Sequence, residues 1–222
     1  VLDRSRPAAT VVAYDAAGMN TPSTIPGTDG RPRCRWCAAA PEFEAYHDRE
    51  WGFPVADDTR LFEKLCLEGF QSGLSWRTIL AKRENFRRAF EGFDFHRVAG
   101  FDEARVSLLL QDAGIVRHRG KIEAAVHNAR CAVQLQRERG SLAAYFWQFE
   151  ARRPPGTAWQ PVSTSPESIA LSKDLKKRGW KFVGPTTMYA LMQAMGLVND
   201  HAPECVVSAE VARARAGFTV PG

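Results

Sequence analysis

The fold class this sequence predicts is all-α, on three observations. No stretch sustains the strict apolar–polar alternation of a half-buried strand. Apolar residues recur instead at three- and four-residue intervals, as one face of a helix requires. The runs that carry them open on acids or serines and close on glycine.

Taken in order, residues 1–30 read as an N-terminal extension. TPSTIPGTDGRP is rich in Pro, Gly, Ser and Thr and offers too little apolar surface to order itself. Residues 31–222 form the folded domain. Asp57 and Asp58 precede LFEKLCLEG, whose apolar residues at 61, 62, 65 and 66 make a capped helical stripe. Ser75 caps a second helix carrying Trp76, Ile79, Leu80, Phe86 and Phe90. DEARVSLLLQDAG starts with acids and stops at Gly114, and the run from Arg119 to Gly140 repeats apolar groups at 122, 126, 129 and 133. SLAAYFWQFE predicts a further helix, and ARRPPGTAWQPVSTS a proline-broken loop. Ser165, Pro166 and Gly179 bracket the next helix, and TTMYALMQAMG ends the series at Gly196.

With 222 residues, 45% of them hydrophobic, the chain is long enough to bury a substantial core. It has no apolar run of membrane-spanning length and no secretory leader, so no membrane partner and a cytoplasmic location are expected. Thirty basic against 25 acidic residues give a net charge of +5, a mild pull toward anionic partners. Five cysteines, odd in number and far apart, suit a reducing compartment better than a disulfide scaffold.

Two segments invite a metal. Cys34 and Cys37 form a CxxC with His47 shortly after, while His201 and Cys205 lie near the other end. A tetrahedral ion takes four such ligands, and joining these segments would pin the chain ends together. Spacing alone does not choose between Cys37 and His47, and buried cysteines are also ordinary small hydrophobes.

Two basic stretches could meet DNA. LLLQDAGIVRHRGKI reads as two helices joined by a tight turn at Gly114; backbone N–H groups there, with Arg117 and Arg119, could hold a phosphate. KDLKKRGWK reads better as a solvated helix end. Trp36, Phe43, Tyr46, Trp51 and Trp76 bracket the helix that carries Glu68. Such aromatics usually build core, but a pocket for a planar heterocycle uses the same residues, with a carboxylate for the edge. Glu68 lies three residues beyond Leu65 and seven beyond Leu61, on the margin of the buried stripe. As a buried carboxylate without a partner, it should be replaceable by Gln at little or no cost in stability.

The blocks RCRW, EAYHDREWGFP, LCLEGFQSGLSW, KRENFRRAF, QDAGIVRHRGKIEAAVHNA, LSKDLKKRGWKFVGPTTMYALMQAMGLVNDH and HAPEC, in this order, resemble the bacterial 3-methyladenine DNA glycosylase I family. The match runs from about Arg33 to Cys205. It implies a helix-hairpin-helix glycosylase fold, acting as a monomer on double-stranded DNA, with a small zinc domain built from both chain ends. The implied zinc ligands are Cys34, His47, His201 and Cys205, since the family pattern has no second cysteine where Cys37 stands. The implied base pocket is Glu68, Tyr46 and Trp76 with Trp36 nearby. Gln is often found where this chain has Phe70, so one polar contact is missing from that pocket. Gly73 and Leu74 match the stretch that approaches the gap left by a flipped nucleotide, and the segment around Gly114, Arg117 and Arg119 takes the place of the DNA-binding hairpin. The implied reaction is hydrolysis of the N-glycosidic bond of 3-methyladenine without strand cleavage, because the family lacks the usual catalytic aspartate and no lysine stands out as a Schiff-base nucleophile. The alternative is a non-catalytic, zinc-stapled DNA-binding module.

Overall fold

The computed structural model describes residues 22–151 and 158–222. The fold is mostly helical, and ten α-helices carry it among the described residues. They are α1 (Pro41–Arg49), α2 (Asp58–Gln71), α3 (Trp76–Ala89), α4 (Phe95–Val98), α5 (Glu103–Leu109), α6 (Arg119–Arg139), α7 (Leu142–Phe146), α8 (Pro166–Lys177), α9 (Pro185–Ala194) and α10 (Ser208–Ala216). Side-chain oxygens of Asp57, Ser75, Asp102, Ser141 and Ser165 cap α2, α3, α5, α7 and α8. Each satisfies an N–H that the first helical turn leaves unpaired.

Helix α2 is the axis of the molecule. It packs against α3, α6, α7 and α9, and every residue from Leu61 to Phe70 is buried. The predicted one-sided stripe is therefore wrong for this helix: its polar residues are inside as well. Phe70 is packed on Phe86 of α3 and on Phe90 just past its end, with ring centroids 4.6 and 5.7 Å away.

The extension is less formless than its composition predicts. Thr24–Pro26 (β1) pairs antiparallel with Pro32–Cys34 (β2) in a small hairpin. Polar anchors rather than apolar burial hold it. Arg33, 3% exposed, reaches Asp29 on the hairpin turn and Asp48 on α1 at 2.5 and 2.8 Å. Val206 N donates to Pro32 O at 2.9 Å, so the C-terminal segment docks on the same strand. Residues 1–21 of the extension and 152–157 of the proline-broken loop lie outside the described residues.

The connection between α5 and α6 is also longer than the tight turn predicted at Gly114. It spans residues 110–118, because the Asp112 carboxylate takes the Gly114 N–H at 2.7 Å and buried Ile115 anchors the loop. Beyond Ser165, Lys173, Lys176 and Lys177 are exposed, as the solvated reading of KDLKKRGWK expects, while Arg178 pairs with Asp174 and Glu138. No helix among the described residues is long and apolar enough to cross a membrane.

Candidate active site and metal centre

Helices α1, α2 and α3 converge on one buried polar cluster. Glu68 and Lys64 stand one turn apart on α2, and the Lys64 ammonium lies 2.8 Å from the Glu68 carboxylate. The ammonium also donates to the Tyr46 hydroxyl of α1 at 2.7 Å. It sits 3.4 Å from the centre of the Trp76 ring, at the start of α3. Both charged residues are buried, 5% and 6% exposed. Burial raises Tyr46 well above the usual phenol range, so it stays a neutral hydroxyl.

Tyr46, Lys64 and Trp76 line a cavity together with Glu50, Glu63 and Arg83. It holds about 10 Å³, room for roughly one water. The indole N–H groups of Trp76 and Trp36 are buried without a hydrogen-bond partner. Buried donors in native proteins are nearly always satisfied, so two orphans beside one cluster mark a place where a ligand could be received.

Trp36 does not line the cavity. It packs edge-on behind Tyr46 and against His47 and Trp51, with centroids 6.3, 5.4 and 5.1 Å away. Lys64 was absent from the residues singled out in the sequence. The available signal was its place four residues before Glu68 on a predicted helix, the spacing at which opposite charges meet.

The second cluster lies behind Trp36. Cys34, His47, His201 and Cys205 are all buried, with their ligand atoms within 4.8 Å of one another, so the two sequence-distant segments do meet here. The tautomers are set by acceptor-only neighbours. Asp48 accepts from His47 Nδ1 at 2.7 Å, and the Trp51 carbonyl accepts from His201 Nε2 at 3.1 Å. Each ring therefore turns an unprotonated nitrogen toward the thiols: His47 Nε2 and His201 Nδ1 both lie 3.5 Å from Cys205 Sγ. Hydrogen bonds, with Cys34 first among them, hold the Cys205 thiol well below its usual range. Gly52 makes the geometry possible: at φ +91° it carries no Cβ, which would stand 2.9 Å from His201 Nε2. This donor set could hold a metal ion. Cys37 is outside it, buried against Ala40 and Phe43, where burial pushes its thiol up to about 11.

A family model for methyladenine glycosylase matches residues 36–208. The chain belongs to the methyladenine glycosylase family. It is 50% identical over 177 residues to DNA-3-methyladenine glycosylase 1 of Escherichia coli, covering 78% of this chain and 95% of that protein. Identity to the DNA-3-methyladenine glycosylase of Haemophilus influenzae is 43% over 178 residues, covering 78% and 96%. A crystal structure of 3-methyladenine DNA glycosylase I superposes with a TM-score of 0.74 at 48% identity, covering 78% of this chain and 98% of that one. A structure describing 3-methyladenine recognition by the Staphylococcus aureus enzyme gives 0.72 at 34% identity, covering 78% and 95%.

For a methyladenine glycosylase the remaining sequence candidates fall on two connections, α2 to α3 and α5 to α6, and on the first residue of α6. Gly73 and Leu74 form the exposed turn between α2 and α3, with Gly73 at φ +77° and Leu74 37% exposed. Lys121 of α6 ties that turn down by donating to the carbonyls of Phe70 and Ser72. Gly114 offers less than predicted: its N–H is taken by Asp112, and its carbonyl accepts from Lys82 and Asn85. Arg119 is paired with Glu103 at 2.7 Å and Glu123 at 3.2 Å. Arg117 is exposed, with no ion pair among the described residues.

Proposed function

We propose that this protein hydrolyses the N-glycosidic bond of 3-methyladenine in alkylated DNA, releasing the free base and leaving an abasic site. The observation that carries this reading is the buried Glu68 carboxylate, bridged by the Lys64 ammonium to the Trp76 face, in a chain of this family. An extruded base stacked on Trp76 would present its amino edge to Glu68. Methylation at N3 makes the base cationic in DNA, so the ring face and the carboxylate both attract it. When the C1′–N bond breaks, its electron pair returns to the base, which leaves neutral. Water supplies the new oxygen at C1′ and gives up a proton to solvent. The protein's share is selection and positioning.

Removal without strand cleavage is supported by the engagement of Lys64, whose nitrogen is held by Glu68 and Tyr46 against the Trp76 ring rather than standing as a free amine. Base release is tested by incubating the protein with methylated duplex and chromatographing the supernatant. Free 3-methyladenine without nicked strands is expected; binding with no released base would leave the non-catalytic module.

For DNA engagement we infer a helix-hairpin-helix element in α5, residues 110–118 and α6, with exposed Arg117, which has no ion pair among the described residues, as its phosphate contact and the turn at Gly73 and Leu74 beside it. Asp112 already occupies the Gly114 N–H, so phosphate contact rests on Arg117 more than on that amide. For the metal we infer one structural zinc on Cys34, His47, His201 and Cys205. Tetrahedral zinc, with Zn–S about 2.3 Å and Zn–N about 2.0 Å, sets S and N ligands roughly 3.5 Å apart. The 3.5 Å separations here and the two outward-facing N–H groups suit it. We take the protein to be a monomer acting on double-stranded DNA in the cytoplasm, its residues 31–222 forming one domain.

A further inference from the structure

We propose that the Lys64 ammonium is a resident occupant of the base site, which an extruded base displaces and which re-enters to expel the product. The inference rests on the base site assigned above. An ammonium 3.4 Å from the centre of the Trp76 ring stands where the plane of a stacked base would stand, since optimal contact between ring carbons is about 3.5–4.0 Å. It also takes the two polar partners a base would want, the Glu68 carboxylate at 2.8 Å and the Tyr46 hydroxyl at 2.7 Å.

The space beside Trp76 does not admit a base as it stands. The cavity beside the ammonium is about 10 Å³, far below the volume of a purine. The Tyr46 and Trp76 rings, 5.4 Å apart and tilted by 45°, leave no slot between them. Something must move, and a four-carbon arm is the most mobile of these groups. The carboxylates of Glu50 and Glu63 line the same cavity, Glu50 already held by Arg83 and Arg60 and Glu63 by Arg87, and the displaced ammonium would join them as a further cation.

The charge arithmetic gives the exchange its direction. A base methylated at N3 is cationic while attached to DNA, so it replaces one cation with another and Glu68 stays paired. Once the bond is cut the base is neutral, and the ammonium is the stronger partner for a carboxylate in a dry site. Burial pulls Lys64 below the usual lysine range, and the Glu68 carboxylate pulls the other way.

The test titrates free 3-methyladenine against wild type, Lys64→Met, Lys64→Gln and Trp76→Ala, with thermal melts to show that each is folded. Both Lys64 variants should bind the free base about tenfold more tightly than wild type and show correspondingly stronger product inhibition. A lysine that merely supports the wall would leave affinity unchanged or weaker when removed, and that result overturns the proposal. Trp76→Ala separates the two readings. If it binds the base as wild type does, the base site itself is misplaced and the proposal falls with it. If it loses the base while the Lys64 variants match wild type, the site stands and only the displacement idea is overturned.

Discussion

Lys64 and Glu68 close a 2.8 Å ion pair one helical turn apart inside α2, with both side chains almost fully buried. Glu68 is therefore not the partnerless carboxylate that its place on the stripe predicts. Glu68→Gln leaves an ammonium buried without its counter-charge, and breaking a buried pair from one side costs up to about 3–5 kcal/mol. The Tyr46 hydroxyl and the lowered affinity of Lys64 for its proton soften that loss. A destabilisation of about 2–3 kcal/mol is expected in urea unfolding. The double variant Lys64→Met with Glu68→Gln should recover much of it, because the two residues are energetically coupled. Additive losses would show that the pair does not act as a unit.

Cys205→Ser should release the metal, whereas Cys37→Ser should retain it, as read by metal analysis of the purified protein. Gly52→Ala should behave like a weakened ligand variant, since its new methyl would meet the His201 ring. Removal of the ion with a chelator should lower the melting temperature, because coordination ties β2 and α1 to the C-terminal segment. Metal kept by Cys205→Ser and lost by Cys37→Ser would reassign the site.

Asp48 acts on the centre from behind. It orients His47 and is itself gripped by Arg33. Asp48→Ala should weaken metal affinity by about ten- to a hundredfold while leaving all four ligands in place. Competition with a coloured chelator measures this directly, and unchanged affinity would mean that packing alone orients the ring.

Arg117 and Arg119 should part company in DNA binding. Arg117→Ala should weaken affinity for all duplexes alike and reduce the slope of log affinity against log salt by about 1. Arg119→Ala should do less, because that guanidinium is already held by Glu103 and Glu123. Equal effects would show that the ion pairs of Arg119 open on contact with DNA.

What the sequence determined by itself is what short-range chemistry writes. Asp57, Ser75 and Ser165 announced their helices because a cap needs only the N–H groups two or three residues on. The ordered blocks from Arg33 to Cys205 named the family, and with it His47 over Cys37, a choice that spacing had left open. The tertiary structure decided whatever depends on long-range contact. Arg33 orders a hairpin that composition reads as formless, because its partner Asp48 lies on another element. The burial of α2 on all sides followed from the four helices packed around it, which no periodicity within α2 records. Lys64 was legible as a neighbour of Glu68, but not as an ammonium over an indole. That placement needs α1 and α3 to bring Tyr46 and Trp76 to the same point, where water is excluded and a surface lysine becomes a buried one.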